Sequence, residues 1–590
     1  MKSKSSLRNL IVLAGSALMA VSSAHAATIF WDGAGADVNW STLNNWGTDG
    51  TVTITNPGGV PTSTDDVVFY STGGTQLTTN IIDAAFTLQS LTFGNSQAGA
   101  VTIGGSSVLT LNGKSGYDPS VLNSGAASGI TGGINTGIYV QSGSGAVTIS
   151  APITLGGAQQ WVNNSVNTLT IQTGALTNGA NLLTIGGSGN TTISSSVSSS
   201  VGLTKNGAGT LTLSNANSSL SGTIALTAGA LQLGNATSMG SSTLTMTSGT
   251  TLNLRNDSNT VFTAPINTAP TTGVTYNFDV NNASSAVTNK TLSLGNLTFA
   301  TNTLVSVTNQ INVTGGNNGY ILGFGTISAP STANAGAHPV IINATSAAVT
   351  ISKFTAGTFG TALTLQGGNS ITLSNFEMNS NGNYSITVSG SGTVATLGTT
   401  TQTGNRTVGT SAYTLNSGAT LNLTQTTSLA NIYNSGPPSV PTFTINGGTL
   451  NNTSGNALAL AANGTLTAGS PTITIGGDFT FGTGSSTSAN NLNLGNGAIT
   501  NAGNRTITFA GTGTTLTMGG IMTNSVGNTQ TTTVNGVGNT LSLGGYNLAN
   551  SVTARTGAFN GSGNVTITGV VANNGGTRSE EHTSELQSRP

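Results

Sequence analysis

Gly202-Leu-Thr-Lys-Asn-Gly-Ala-Gly-Thr-Leu-Thr-Leu213 sets out the architecture in one phrase. In its second half, Thr210 to Leu213, polar and apolar residues alternate at period two, which makes the run a half-buried strand. Asn206-Gly-Ala-Gly209 ahead of it is a turn, because glycine takes positive φ at no steric cost. The same phrase recurs at Val108-Leu-Thr-Leu111, Thr168-Leu-Thr-Ile171 and Ala230-Leu-Gln-Leu233. Spacing carries more than the strands themselves. Runs begin again at Leu211, Leu231 and Leu252, and later at Leu492, Leu516, Leu541 and Val565. A nearly constant period, roughly 20 to 25, marks a solenoid whose coils bury their inward side chains against one another. A coil of that size predicts an all-β, right-handed parallel β-helix with three strands per coil. At ~4.8 Å per rung, the body would form a rod on the order of 110 Å.

Composition agrees with stacking. Only 13 Lys and Arg and 14 Asp and Glu occur in 590 residues, 5% charged, where a globular chain carries about a quarter. Stacked coils place like residues over like at about 5 Å, so stacked charges would repel, whereas Thr and Asn ladders can hydrogen-bond along the axis. Val, Ile and Leu are left to fill a narrow interior. Low-complexity disorder is the competing reading of so much Gly, Ser, Thr and Asn, but the strand runs are too regular and too apolar for it. So few cations cannot build a basic surface, which argues against nucleic-acid binding. The chain has no cysteine, so disulfides cannot staple it.

Both ends differ from the body. Residues 1–26 combine Lys2, Lys4 and Arg8 with an apolar run from Leu10 to Val21 and close on Ala24-His25-Ala26, the pattern of a secretory signal peptide. Residues 578–590 crowd five charges into thirteen positions and match the translation of a common sequencing-library adapter, so they are expected to be non-native. Residues 27–87 hold Trp31, Trp40 and Trp46 together with most of the body's acids, among them Asp32, Asp37, Asp49, Asp65, Asp66 and Asp83, with Asp118 just beyond. A solenoid needs its terminal edge covered, and this aromatic segment reads as an N-terminal cap. The alternative is a carbohydrate platform, with the three tryptophans stacking on sugar faces. Residues 88–577 form the repeat region. Within it, prolines in Tyr433-Asn-Ser-Gly-Pro-Pro-Ser-Val-Pro441, and more mildly from Ala264-Pro265 to Pro270 and from Ala329-Pro330 to Pro339, predict loops leaving the rod.

Gly202 to Ser214, followed by Leu220-Ser-Gly222-Thr-Ile and Ala228-Gly-Ala-Leu-Gln-Leu233-Gly-Asn235, closely resembles the autotransporter-associated β-strand repeat; residues 202–235 carry the match. The opening Phe30-Trp31-Asp32-Gly33 through Trp40-Ser41 to Asn45-Trp46 resembles the start of large secreted proteins built from that repeat. The resemblance implies a β-helical passenger at the outer surface of a Gram-negative-type bacterium, with outer-membrane export machinery as a partner. It brings no catalytic residues, and Lys205 and Gly209 match it as structural positions.

Chemistry is sparse. The only carboxylate pair one expected coil apart is Asp257 and Asp279, near Arg255; glycoside cleavage needs two carboxyls within ~5–9.5 Å. Apart from these, the later body offers only Glu377 and Asp478 as acids. His338, the body's one histidine, lies in a loop-like stretch beside Pro339 without a neighbouring acid in sequence, which disfavours a Ser-His-Asp triad. No Cys, His pair or calcium-repeat motif suggests a metal site, and no cofactor is expected. The reading is a secreted or surface-displayed structural or adhesive β-helix without enzymatic activity, contacting glycans or cell-surface proteins. The alternatives are a polysaccharide lyase or glycoside hydrolase using Asp257 and Asp279, and a carbohydrate-binding protein using Trp31, Trp40 and Trp46.

Overall fold

The structure, a computed structural model, describes residues 27–48, 59–69, 78–95, 99–116, 132–262, 265–268, 273–284, 286–299, 308–330, 338–379, 381–525, 529–548 and 556–572. The signal sequence, the charged tail, Asp49, Asp118 and Pro270 lie outside them. Among the described residues there is no α-helix, and the chain is a column of stacked parallel strands. One face, called A here, is a 24-stranded sheet that begins at Thr28–Trp31 and reaches Thr556–Asn560. Face B runs beside it from Thr79–Ile81 to Asn564–Ile567 and Val571–Ala572. A third face, C, stacks Phe86–Leu88, Leu109–Leu111, Ile153–Leu155, Leu176–Gly179 and Val197–Ser199.

Register shows why the alternation matters. On face B, Ile103, Ile149, Ile171, Ile193, Leu213, Leu233 and Leu254 lie over one another, all inside the column. The residue before each points outward, giving the row Thr102, Thr148, Thr170, Thr192 and Thr212. Farther along, Thr364, Thr387, Thr414, Thr444, Thr474, Thr500 and Thr523 form an unbroken row. Each fully buried Leu or Ile contributes about 1.5–3 kcal/mol of transfer free energy.

The expected period holds in two stretches. Leu211 pairs with Leu231 and that with Leu252, while Leu492, Leu516, Leu541 and Val565 follow one another in the same way, as their spacing in sequence predicts. Between these stretches it holds in part, as where Val340, Leu363 and Ile386 follow one another, and elsewhere it fails. The next partner of Leu252 is Phe278, and that of Phe278 is Val313, so the coils there outgrow the period. Face C ends at Val197–Ser199, continued only by a single bridge from Ser199 to Leu220, and from Thr275–Asn281 onward strands of seven to nine residues occur on the other two faces. Ile321–Ser328 bends round a corner, so that one strand pairs with both Thr291–Leu294 and Leu297–Thr298 below it.

The loop expectations divide. The chain does leave the column at 433–441: Asn434 to Pro437 are exposed, while Tyr433 and Pro441 are buried at its base. Asn431–Ile432 pairs antiparallel with Thr467–Ala468 to brace this excursion against a second one. The Pro339 reading is corrected. His338–Ala344 is a strand, with His338 opposite Thr361 and Pro339 near its beginning, where a missing N–H costs least.

Hydrogen bonding along the axis takes two forms. Asn343 Nδ2 donates to Asn312 Oδ1 at 2.9 Å, and Asn312 Nδ2 to Asn277 Oδ1 at 3.0 Å, an amide ladder of the expected kind. Several hydroxyls at strand ends instead reach the carbonyl of the coil before: Thr227 to Lys205 O at 3.1 Å, Thr345 to Val313 O at 3.0 Å, Thr424 to Leu397 O at 2.9 Å. Each of these carbonyls also accepts the same threonine's backbone N–H, so the hydroxyl adds a second bond at the strand end.

Candidate functional site

The three tryptophans are core. Trp31 and Trp40 have no exposed surface and Trp46 is 1% exposed. Trp46 stands edge-on to Trp31 and Trp40 at 4.9 and 5.1 Å between ring centroids, and Phe69 stacks on Trp31 at 6.1 Å. Trp40 Nε1 donates to Asn80 Oδ1 and Trp46 Nε1 to the Trp40 carbonyl, both at 2.7 Å. No indole face is offered to a sugar, so the platform geometry is absent in this conformation. Thr28–Trp31 pairs in parallel with Asp66–Phe69, and Trp46–Gly47 pairs antiparallel on its other side, covering the first strand edge. The acids nearby fasten loops. Asp37 accepts from Asn39 and Thr42, bonds that hold its carboxyl below the usual range. Burial alone would raise Asp83, but the Ser41 hydroxyl and N–H outweigh it and keep it low.

The Asp257 and Asp279 pairing is corrected. The coil there is longer than the period suggests, so Asp279 lies over Asn253 and Asn281 over Arg255, while Asp257 falls past the strand, in the next turn. Both carboxylates are occupied. Asp279 makes an ion pair with Arg255 and accepts from Thr314 Oγ1 at 2.6 Å. Asp257 accepts from the N–H groups of Ala283 and Ser284 at 2.9 and 3.1 Å. Hydrogen bonds from Ser284 lower its pKa, whereas a general acid must be raised to keep its proton near neutrality. His338 is also interior, 1% exposed, and burial lowers its pKa. Lys114–Asp66 and Lys353–Glu377 complete the ion pairs among the described residues, each joining separate coils.

Two buried cations escaped the sequence reading of chemistry. Lys205 is 2% exposed, and its Nζ donates to the carbonyls of Gly207 and Ala228. Burial brings its pKa down to about 8. Arg406 is wholly enclosed, with its guanidinium between the rings of Tyr384 and Tyr433 at 4.9 and 4.7 Å. It donates to the carbonyls of Ile432, Gly382 and Thr410 at 3.1, 3.3 and 3.4 Å, and its backbone N–H donates to Asn434 Oδ1 at 2.7 Å. The 433–441 excursion is thereby pinned at its root by a cation between two aromatic faces. Lys205 was visible as a motif position. Nothing in Gly404-Asn-Arg406-Thr-Val408 marks a buried arginine.

One surface depression crosses several coils. A shallow groove of about 430 Å3 on face A is lined by Gly418, Ala419, Gly448, Thr449, Asp478, Phe479, Thr480, Thr506 and Thr508. Its residues come from four successive coils, and Thr449, Thr480 and Thr508 stack in register along it. Among the described residues no group of three or more His, Cys, Asp or Glu could hold a metal, and no helix is long and apolar enough to cross a membrane. No family model, curated protein or solved structure matches the chain.

Proposed function

We propose that the chain is a secreted or surface-displayed structural and adhesive rod that carries its excursions and faces away from the cell. The observation that supports this is the continuous 24-stranded face A, whose rungs share one dry row of side chains. At ~4.8 Å per rung such a ladder spans on the order of 110 Å, a geometry suited to reach. Charges are few, and three ion pairs join separate coils. The residues 1–26 and the repeat in residues 202–235 supply the export and passenger parts of the reading. Parallel β-helices also carry glycan-cleaving enzymes, but no geometry here favours that alternative over the rod.

The test is export. Expressed with residues 1–26 in a Gram-negative host, the chain is expected to be recovered outside the cytoplasm with Ala27 as its N-terminus. In the native cell, protease added to intact cells is expected to remove it. Unprocessed protein retained in the cytoplasm would overturn the proposal.

A further inference from the structure

We infer that the groove on face A binds a linear, neutral polysaccharide lying along the rod axis. The inference deepens the adhesive reading by naming its ligand class, and it rests on that reading only for its use to the cell.

Four features of the groove converge on this class. Its volume, about 430 Å3, is that of a small-molecule site, yet it is shallow and crosses four coils, which suits an extended ligand better than a compact one. Its floor is bare backbone. Gly448 has φ +81°, and a Cβ there would collide with the Ala419 carbonyl oxygen; Gly418 has φ +79°. Positive φ and the neighbouring coil require glycine at both positions, so the main chain there carries no side chain and a flat sugar ring could approach it closely. Its wall repeats: Thr449, Thr480 and Thr508 present one hydroxyl and one methyl per coil at ~4.8 Å. An extended chain of β-linked pyranoses advances by about the same step per sugar, so successive units meet equivalent partners. Finally, Asp478 is exposed at the rim. Its Oδ1 accepts the Thr506 N–H at 2.9 Å, and among the described residues nothing bonds Oδ2, which leaves an acceptor for sugar hydroxyls. No cation is among the residues that line the groove, so an acidic polymer lying in it would meet the Asp478 carboxylate there.

The experiment titrates the full chain with cellohexaose, mannohexaose and xylohexaose by calorimetry, with the matching monosaccharides and a hexuronate oligomer as comparisons. At least one neutral hexasaccharide is expected to bind, and at least tenfold more tightly than its monosaccharide, because it spans all four coils while a single sugar meets one. Asp478→Asn is expected to weaken that binding about tenfold, the loss of one charged acceptor. The variant Thr449→Val with Thr480→Val and Thr508→Val, isosteric at three surface positions, is expected to weaken it further. Unchanged thermal midpoints show that both variants fold. Absence of binding to every neutral hexasaccharide, binding that survives both variants, or preference for the hexuronate would each overturn the inference. None of these outcomes bears on export, which protease treatment of intact cells reads separately.

Discussion

Two stretches of the column solve the same packing problem differently. Between Val147 and Leu252 the coils keep close to one length, and each adds the same inward aliphatic residue to the same row. Between Phe278 and Ile475 the coils lengthen and vary, strands reach nine residues, and the chain departs from the column and returns. The short coils hold themselves by repetition, and their few buried polar groups act as corner keys. Asn217 is one: its Oδ1 accepts the Val197 N–H at 2.8 Å while its Nδ2 donates to the Ser238 carbonyl at 2.6 Å, joining three consecutive turns. The long coils need individual ties, of which Arg406 is the clearest. Regularity removes the need for special residues, and every departure from it brings that need back.

The comparison is best broken by its rows. Leu231→Ala, in the short coils, is expected to cost about 2–5 kcal/mol by cavity formation, with the loss spreading only to neighbouring coils as in other one-dimensional arrays. Denaturant melts combined with hydrogen exchange would check it. A loss of exchange protection shared equally by residues 529–548 would show the column to be a single cooperative body.

Arg406→Met tests the long coils. It removes the guanidinium donor from the carbonyls of Ile432 and Gly382, while the Thr410 carbonyl keeps the Tyr384 N–H, so a destabilisation of about 3 kcal/mol is expected. Limited proteolysis should then cut first within residues 434–440. Equal cleavage of wild type and variant would mean that the arginine does not pin the excursion.

Asn217→Ala sharpens the idea of corner keys. Leaving the Val197 N–H and the Ser238 carbonyl unpaired is expected to cost about 1–3 kcal/mol, measured by thermal unfolding. A cost below half of that range would place the two groups in contact with water.

Lys205→Met should act in the opposite direction from Arg406→Met, because a lysine can shed its charge and an arginine cannot. The folded pKa of about 8 lies below the ordinary 10.5. Between these values the unfolded chain holds a proton that the folded chain lacks, so stability rises as pH climbs from about 8 to about 10.5. Below pH 8 the amine is charged in both states, and the burial cost stands in full. The variant is expected to be more stable than wild type at pH 7 and to lack the wild type's additional rise above pH 8. A parallel pH dependence in the two proteins would refute the assignment. The smallest effect should come from Thr192→Val on the outward row, about 0.5 kcal/mol or less, since a half-exposed hydroxyl exchanges one set of water contacts for another.

Much of the column was legible in the residues. Leu211, Leu231 and Leu252, and Leu492, Leu516, Leu541 and Val565, fall in register where their spacing put them, because period-two alternation leaves a strand only one way to face inward. Asp257 and Asp279 show where such reasoning stops. Their spacing equals one coil elsewhere, as between Leu169 and Thr191, but the local coil is longer, and the difference moved one carboxylate into a turn. The tryptophans could be counted, yet whether their faces met solvent or one another depended on Trp46–Gly47 folding back against Thr28–Trp31. His338 and Pro339 read as loop for want of any local sign that a neighbouring strand, Gly360–Gln366, would receive them.

By itself the sequence determined that neutral side chains would stack in rows, because alternation, glycine turns and a short repeat are local properties that every coil states again. Coil length in the middle of the column, the enclosure of Arg406 and Lys205, and the joining of residues from four coils into one groove were decided only by the tertiary structure. Each depends on which residues lie above one another, and that is set by lengths accumulated along the chain rather than by any single coil.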